Sequence, residues 1–157
     1  MRRNMPAAPS SPSLDWSIYC DGSAAPNPGR MGLGAVLTAP DGARHTLSLA
    51  PEGRGCNNEA ELRAFAAALA AAKAHGARRL QVYSDNSVLV DQLGAAPAAP
   101  VARLADSFDE ARALLAGFEH ATVSWVPRHR NGEADALARA ALGMAPKAGA
   151  KRWKKRR

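Results

Sequence analysis

Aromatic residues are scarce in this chain: three Trp, two Tyr and three Phe make up 5% of its 157 residues. Cysteine is scarcer still, with only Cys20 and Cys56. Two thiols so far apart form neither a metal-type spacing nor a disulfide framework, so the expectation is a reduced, cytoplasmic protein. No apolar run approaches the ~18 residues of a membrane span, so no membrane partner is expected. The opening stretch "MRRNMPAAPSSPSLDW" has two arginines but no apolar segment behind them, and does not read as a secretory signal. Acidic residues are missing altogether from residues 147–157, "KAGAKRWKKRR", which hold seven of the 21 basic residues.

That last absence locates the net charge of +7: the remaining body balances fourteen basic against fourteen acidic residues. The basicity belongs to a tail, which polyanions attract and whose Trp153 can stack on a base. The length suits one domain with one core, lean because alanine supplies much of the 46% apolar content. The division expected is a Pro/Ser/Ala-rich leader at 1–14, a folded domain at 15–145 and a basic tail at 146–157.

"WSIYCD" alternates, with Trp16, Ile18 and Cys20 on one face and Ser17, Tyr19 and Asp21 on the other, and predicts a strand ending at Asp21. "GLGAVLT" (32–38) and "RHTLSL" (44–49) predict two more strands, joined by the turn "PDG" into an antiparallel meander. Residues 57–77 read as a helix, with Leu62, Phe65 and Leu69 at helical spacing and a stop at His75-Gly76. A strand (79–85), a short helix (86–94), a loop, a helix (101–118), a strand (121–126) and a last helix (131–142) follow. The order βββαβααβα implies an α/β (α+β) domain: a five-stranded mixed sheet, its first three strands antiparallel, flanked by helices.

Four carboxylates stand out, each with an ordinary structural explanation. Asp21 opens an Asp-Gly-Ser sequence typical of turns. Glu61 follows Asn58 at capping-box spacing, with Glu59 a rival on another face. Asp85 occupies an N-cap position after a strand. Asp135 lies in the first turn of a helix, where the dipole favours an acid. Taken together, they are all placed to converge on one end of the sheet, where open α/β sheets build their sites. Converging carboxylates without a cation would raise one another's pKa values, and divalent metal is the remedy. Oxygen ligands without clustered His or Cys favour Mg²⁺ or Mn²⁺. Two such ions ~3.5–4 Å apart can activate water and stabilise a leaving oxygen in phosphodiester cleavage.

Four segments in order, "YCDGSAAPNPGRMGLGAVL", "NNEAELRAFAAAL", "VYSDNSVLV" and "WVPRHRNGEADALARAA", resemble the type 1 ribonuclease H family over about residues 16–143. The resemblance implies a ribonuclease H-like fold and metal-dependent endonucleolytic hydrolysis of the RNA strand of RNA–DNA hybrids, leaving 5′-phosphate and 3′-hydroxyl ends. It implies that Asp21, Glu61, Asp85 and Asp135 are the metal-binding catalytic acids, choosing Glu61 over Glu59. It matches His129 to the family's mobile histidine, across a loop to Asp135 shorter than in familiar bacterial enzymes. It assigns contacts with the nucleic acid to Gly22, Ser23, Asn27, Asn57, Asn58 and, more weakly, Ser87. Amides and hydroxyls suit that task, because they both donate to and accept from a 2′-hydroxyl. The basic protrusion of many bacterial members is replaced by "GAAPAAP", which leaves the tail as the candidate for extra hybrid affinity. A monomer is the default. The competing expectations are a non-catalytic nucleic-acid-binding module and a nuclease of the same fold acting on double-stranded RNA.

Overall fold

The computed structural model describes residues 14–94 and 104–145. The leader, nearly all of the "GAAPAAP" loop, the first three residues of the helix predicted at 101–118 and the basic tail lie outside the described residues. The elements are β1 (Asp15–Ala25), β2 (Gly29–Thr38), β3 (Arg44–Leu49), β4 (Arg54–Gly55), α1 (Asn57–Ala74), β5 (Arg79–Ser84), α2 (Ser87–Leu93), α3 (Ala105–Ala116), β6 (His120–Trp125) and α4 (Gly132–Ala141). A single 3-10 turn, Arg128–Arg130, joins β6 to α4.

Five strands form a mixed sheet in the order β3-β2-β1-β5-β6, and the two-residue β4 pairs with the start of β2. β1 is antiparallel to β2 and parallel to β5, and β5 is parallel to β6. This is the expected mixed sheet with its antiparallel meander. The alternation in β1 survives in space: Trp16, Ile18 and Cys20 are buried in the main core, under α1.

The scarcity of aromatics is met by close approach. Ala60, Ala64, Ala68 and Ala72, four residues apart on α1, are all buried, and Leu62, Phe65 and Leu69 fill the space beside them. On the opposite face of the sheet, α4 lays its buried Ala134 and Ala138 over Gly34 and Gly32 of β2. A Cβ at Gly34 would lie 2.2 Å from the Ala134 carbonyl oxygen, so helix and strand are in backbone contact there. α1 ends at Ala74, three residues short of the predicted 77, at the predicted His75-Gly76 stop: His75 is its C-cap and Gly76 takes a φ of +85°.

One strand boundary differs in a way that matters. β1 does not end at Asp21; it runs on to Ala25, and Asp21 pairs with Gly34 of β2. The Asp-Gly-Ser sequence is therefore not a turn, and the chain reverses only at residues 26–28. Pairing with β2 explains the continuation, since it extends to Ala25 opposite Arg30. On the other edge, pairing with β5 stops at Tyr19 opposite Tyr83. Asp21 thus lies mid-strand towards β2 and just past the last strand pair towards β5, at the open end of the parallel half of the sheet.

Candidate metal centre

Asp21 comes from β1, Glu61 from the second turn of α1 and Asp85 from the residue after β5. One carboxylate oxygen of each lies within 4.8 Å of the others. Gly22 makes this possible. A Cβ there would fall 2.3 Å from the carbonyl carbon and oxygen of Ala60, so β1 and α1 touch along their backbones. That contact brings Glu61 Oε1 to accept from the Gly22 N–H at 3.2 Å. Glu61 therefore does not close a capping box: Cys56 is the N-cap of α1 and makes no side-chain cap. Glu59 is turned away, its Oε1 lying over Gly55 of β4.

The N-cap reading of Asp85 also gives way. Asn86 caps α2, its Oδ1 accepting from Leu89 N at 3.1 Å, and this leaves the Asp85 carboxylate free for the cluster. Asp85 Oδ2 instead accepts from Asn131 Nδ2 at 3.1 Å. Asp135, in the first turn of α4, is outside the closest trio but faces Asp21, whose pKa it raises through a side-chain hydrogen bond.

Asp21 and Glu61 are 6% and 7% exposed, and no Lys or Arg pairs with Asp21, Glu61 or Asp85 among the described residues. Burial pushes the Asp21 carboxyl up from 3.8 to about 7, and the Asp85 and Asp135 carboxylates add to the rise. Burial, then the Asp21 charge, raises Glu61 well above its usual range. Burial together with negative neighbours and no protein cation fits an ion of at least +2 held by hard oxygens.

A pH dependence follows. In the unfolded chain Asp21 ionises near 3.8, whereas in the fold it keeps its proton to about 7. Between these values the folded state holds more protons, so stability without metal falls as pH rises, by on the order of 4 kcal/mol over the window. Glu61 acts in the same direction. Asp15 is held below its usual 3.8 by Gln81 and Arg79, so what it contributes is present above that pH and does not oppose the trend. Urea midpoints in chelator are expected to fall from pH 4 to pH 7.5, and Mn²⁺ is expected to raise them most at the upper end.

The other predicted site residues are placed as follows. Asn27, Asn57 and Asn58 tie together the elements that carry Asp21, Glu61 and Asp85. Asn27 Oδ1 accepts from Asn57 N at 3.0 Å, and Asn57 Oδ1 accepts from Ala24 N at 2.9 Å. Asn58 Oδ1 accepts from Asn86 Nδ2 at 2.9 Å. The end of β1, the turn after it, α1 and α2 are thereby joined around the acids. Ser23 is half-buried on β1, and Ser87 is exposed at the start of α2. His129 is exposed on the 3-10 turn between β6 and α4. Asn131 escaped the sequence reading. Its position before a helical run marks it as a cap candidate, but its contact with Asp85, far away in the chain, has no local signature.

Residues 19–141 match the family described as "Reverse transcriptase-like". Ribonuclease HI of Halobacterium salinarum is 37% identical over 124 residues, 79% of this chain and 62% of that protein. The bifunctional protein Rv2228c of Mycobacterium tuberculosis is 35% identical over 137 residues, 85% of this chain; the chain spans only 37% of that relative's length. The solved RNase H1 of Halobacterium salinarum superposes with a TM-score of 0.76 at 35% identity, covering 82% of this chain and 98% of that one. The N-terminal RNase H domain of Rv2228c gives 0.74 at 34% identity, covering 82% and 99%. LC11-RNase H1, solved in complex with an RNA/DNA hybrid, gives 0.73 at 27% identity, covering 82% and 96%. Sheet order, acid cluster and these likenesses agree: the chain belongs to the type 1 ribonuclease H family.

Proposed function

We propose that this protein is a metal-dependent endonuclease that hydrolyses the RNA strand of RNA–DNA hybrids, leaving 5′-phosphate and 3′-hydroxyl ends. The observation that carries the reading is the Asp21, Glu61 and Asp85 trio at the open end of the sheet, with Asp21 and Glu61 buried and none of the three paired with a Lys or Arg among the described residues. A pure binding module has no use for buried acids facing a phosphate backbone. Support for the substrate comes from the hybrid in the LC11-RNase H1 structure.

Asp21, Glu61, Asp85 and Asp135 would hold two Mg²⁺ or Mn²⁺ ions, which would supply the positive charge for activating water and stabilising the leaving oxygen. The chain's own task is to aim its carboxylates, through the Gly22 N–H on Glu61 and the Asn131 amide on Asp85. Gly22, Ser23, Asn27, Asn57, Asn58 and Ser87 face the sugar-phosphate backbone and read the 2′-hydroxyls. His129 moves protons or helps the product leave. The protein works as a cytoplasmic monomer, and its basic tail adds salt-sensitive affinity.

The test is cleavage of three end-labelled duplexes, RNA–DNA hybrid, double-stranded RNA and double-stranded DNA, with Mg²⁺, Mn²⁺ or chelator. The hybrid alone is expected to be cut, and only with a metal. Cutting of double-stranded RNA would move the substrate class, and binding without cutting under either ion would defeat the enzymatic reading.

A further inference from the structure

Asn131 is 1% exposed and is the N-cap of α4, yet it makes no side-chain cap. An Asn in that position ordinarily turns its Oδ1 to the first N–H groups of the helix, as Asn86 does for α2. Here the side chain is committed elsewhere. Its Nδ2 donates to the Cys20 carbonyl at 3.0 Å and to Asp85 Oδ2 at 3.1 Å. Both partners are acceptors, so the amide has only one orientation: the NH₂ faces them, and Oδ1 points away. That Oδ1 is buried without a hydrogen-bond partner among the described residues. An orphaned acceptor costs about 1–3 kcal/mol, and the helix loses its cap as well. Stability alone is a poor reason for an Asn in this place.

The donors explain it. Cys20 is the residue before Asp21, so one amide ties the strand that carries Asp21 to the side chain of Asp85. The main-chain carbonyl of Asn131 accepts from Asp135 N at 3.1 Å, tying in the third element. Three of the four acids are thereby indexed to one residue, and the Gly22 N–H indexes the fourth, Glu61, to the same strand.

We propose that Asn131 is a positioning residue for the ion site, holding the Asp85 carboxylate at a fixed distance from β1 and presenting its other oxygen to the metal. This rests on the metal-dependent nuclease reading. Outer hydrogen-bond partners of metal ligands set affinity by about 10–100-fold when removed. Asn131→Leu keeps the branched shape, somewhat enlarged, and removes both donors; Asn131→Ala removes the bulk as well. Calorimetric Mn²⁺ titration of either folded variant is expected to show affinity weakened by about 10–100-fold. Hybrid KM should be unchanged, kcat should be lowered at limiting Mn²⁺, and excess Mn²⁺ should restore part of it. Wild-type Mn²⁺ affinity in a variant that is merely less heat-stable would overturn the proposal and leave Asn131 a packing residue.

A measurement on the unmutated protein covers the case in which neither variant folds. In wild type labelled with ¹³C and ¹⁵N, the Asn131 side-chain amide signal should shift with Mg²⁺ at the midpoint of ion binding. A signal that stays put while the Asp85 carboxyl carbon shifts would also overturn the proposal. Hybrid cleavage by wild type, run alongside, separates the two readings: ion binding with this shift but no cutting defeats the nuclease assignment and leaves the positioning role standing.

Discussion

Asp85→Asn is expected to lower the rate of hybrid cleavage by about 10³-fold or more while leaving hybrid affinity within about threefold of wild type. The charge stabilisation that a bound ion supplies in phosphodiester cleavage is worth several kcal/mol, and about 4 kcal/mol corresponds to that factor. The fold has no reason to object. The substituted amide keeps an oxygen that can accept from Asn131 Nδ2, Asn86 rather than Asp85 caps α2, and no cation among the described residues loses a partner. One negative charge also leaves a cluster in which the Asp85 charge helps to raise both Asp21 and Glu61, so stability in chelator should hold or improve. Single-turnover cleavage and gel-shift binding in Ca²⁺ make the comparison. Residual cleavage within tenfold of wild type would remove Asp85 from the ion site.

Gly22→Ala is expected to damage both folding and ion binding. The added methyl would fall 2.3 Å from the carbonyl group of Ala60 and 2.6 Å from Glu61 N, all backbone atoms that cannot swing aside. α1 must back away from β1, along a face packed through Ala60, Ala64 and Ala68. Overpacking of this kind costs about 1–3 kcal/mol, and this case belongs at the upper end. The same displacement pulls Glu61 off the Gly22 N–H and widens the trio, so Mn²⁺ affinity should fall together with the melting temperature. Gly132→Ala is the matched control. It opens α4, a Cβ there would meet nothing within 4 Å, and Ala in place of Gly in a helix is worth about 0.5–1 kcal/mol. The two substitutions should move the urea midpoint in opposite directions. If Gly22→Ala were as stable as wild type, the close contact of strand and helix would not be the constraint described.

The evenness of these outcomes with the sequence depends on distance along the chain. The alternation of Trp16, Ile18 and Cys20 and the helical spacing of Leu62, Phe65 and Leu69 are local patterns, and they foretold the strands and helices with small shifts at their ends. Asp21, Glu61 and Asp85 sit in or directly beside those elements, so their meeting was legible too, and one carboxylate oxygen of each lies within 4.8 Å of the others. The ordinary explanations of three of the acids were also drawn from local patterns, and these failed. Asp-Gly-Ser looks like a turn, but β2 supplies hydrogen-bond partners that keep it a strand. Asn58-x-x-Glu61 looks like a capping box, but the Gly22 N–H arrives from another element and takes the Glu61 side chain. Asp85 looks like a cap, but its neighbour Asn86 does that work.

By itself, then, the sequence determined the elements, their order, and which acids could meet, because periodicity and composition act within a few residues. Only the tertiary structure decided how they meet. The separations within the trio, the elevated pKa of Asp21 and the diversion of Asn131 from its helix to Asp85 all depend on two backbones pressed together at Gly22 and on contacts between residues as distant as Cys20 and Asn131. Burial and cross-chain hydrogen bonding have no period along the chain, so they exist only once the sheet and its helices have closed.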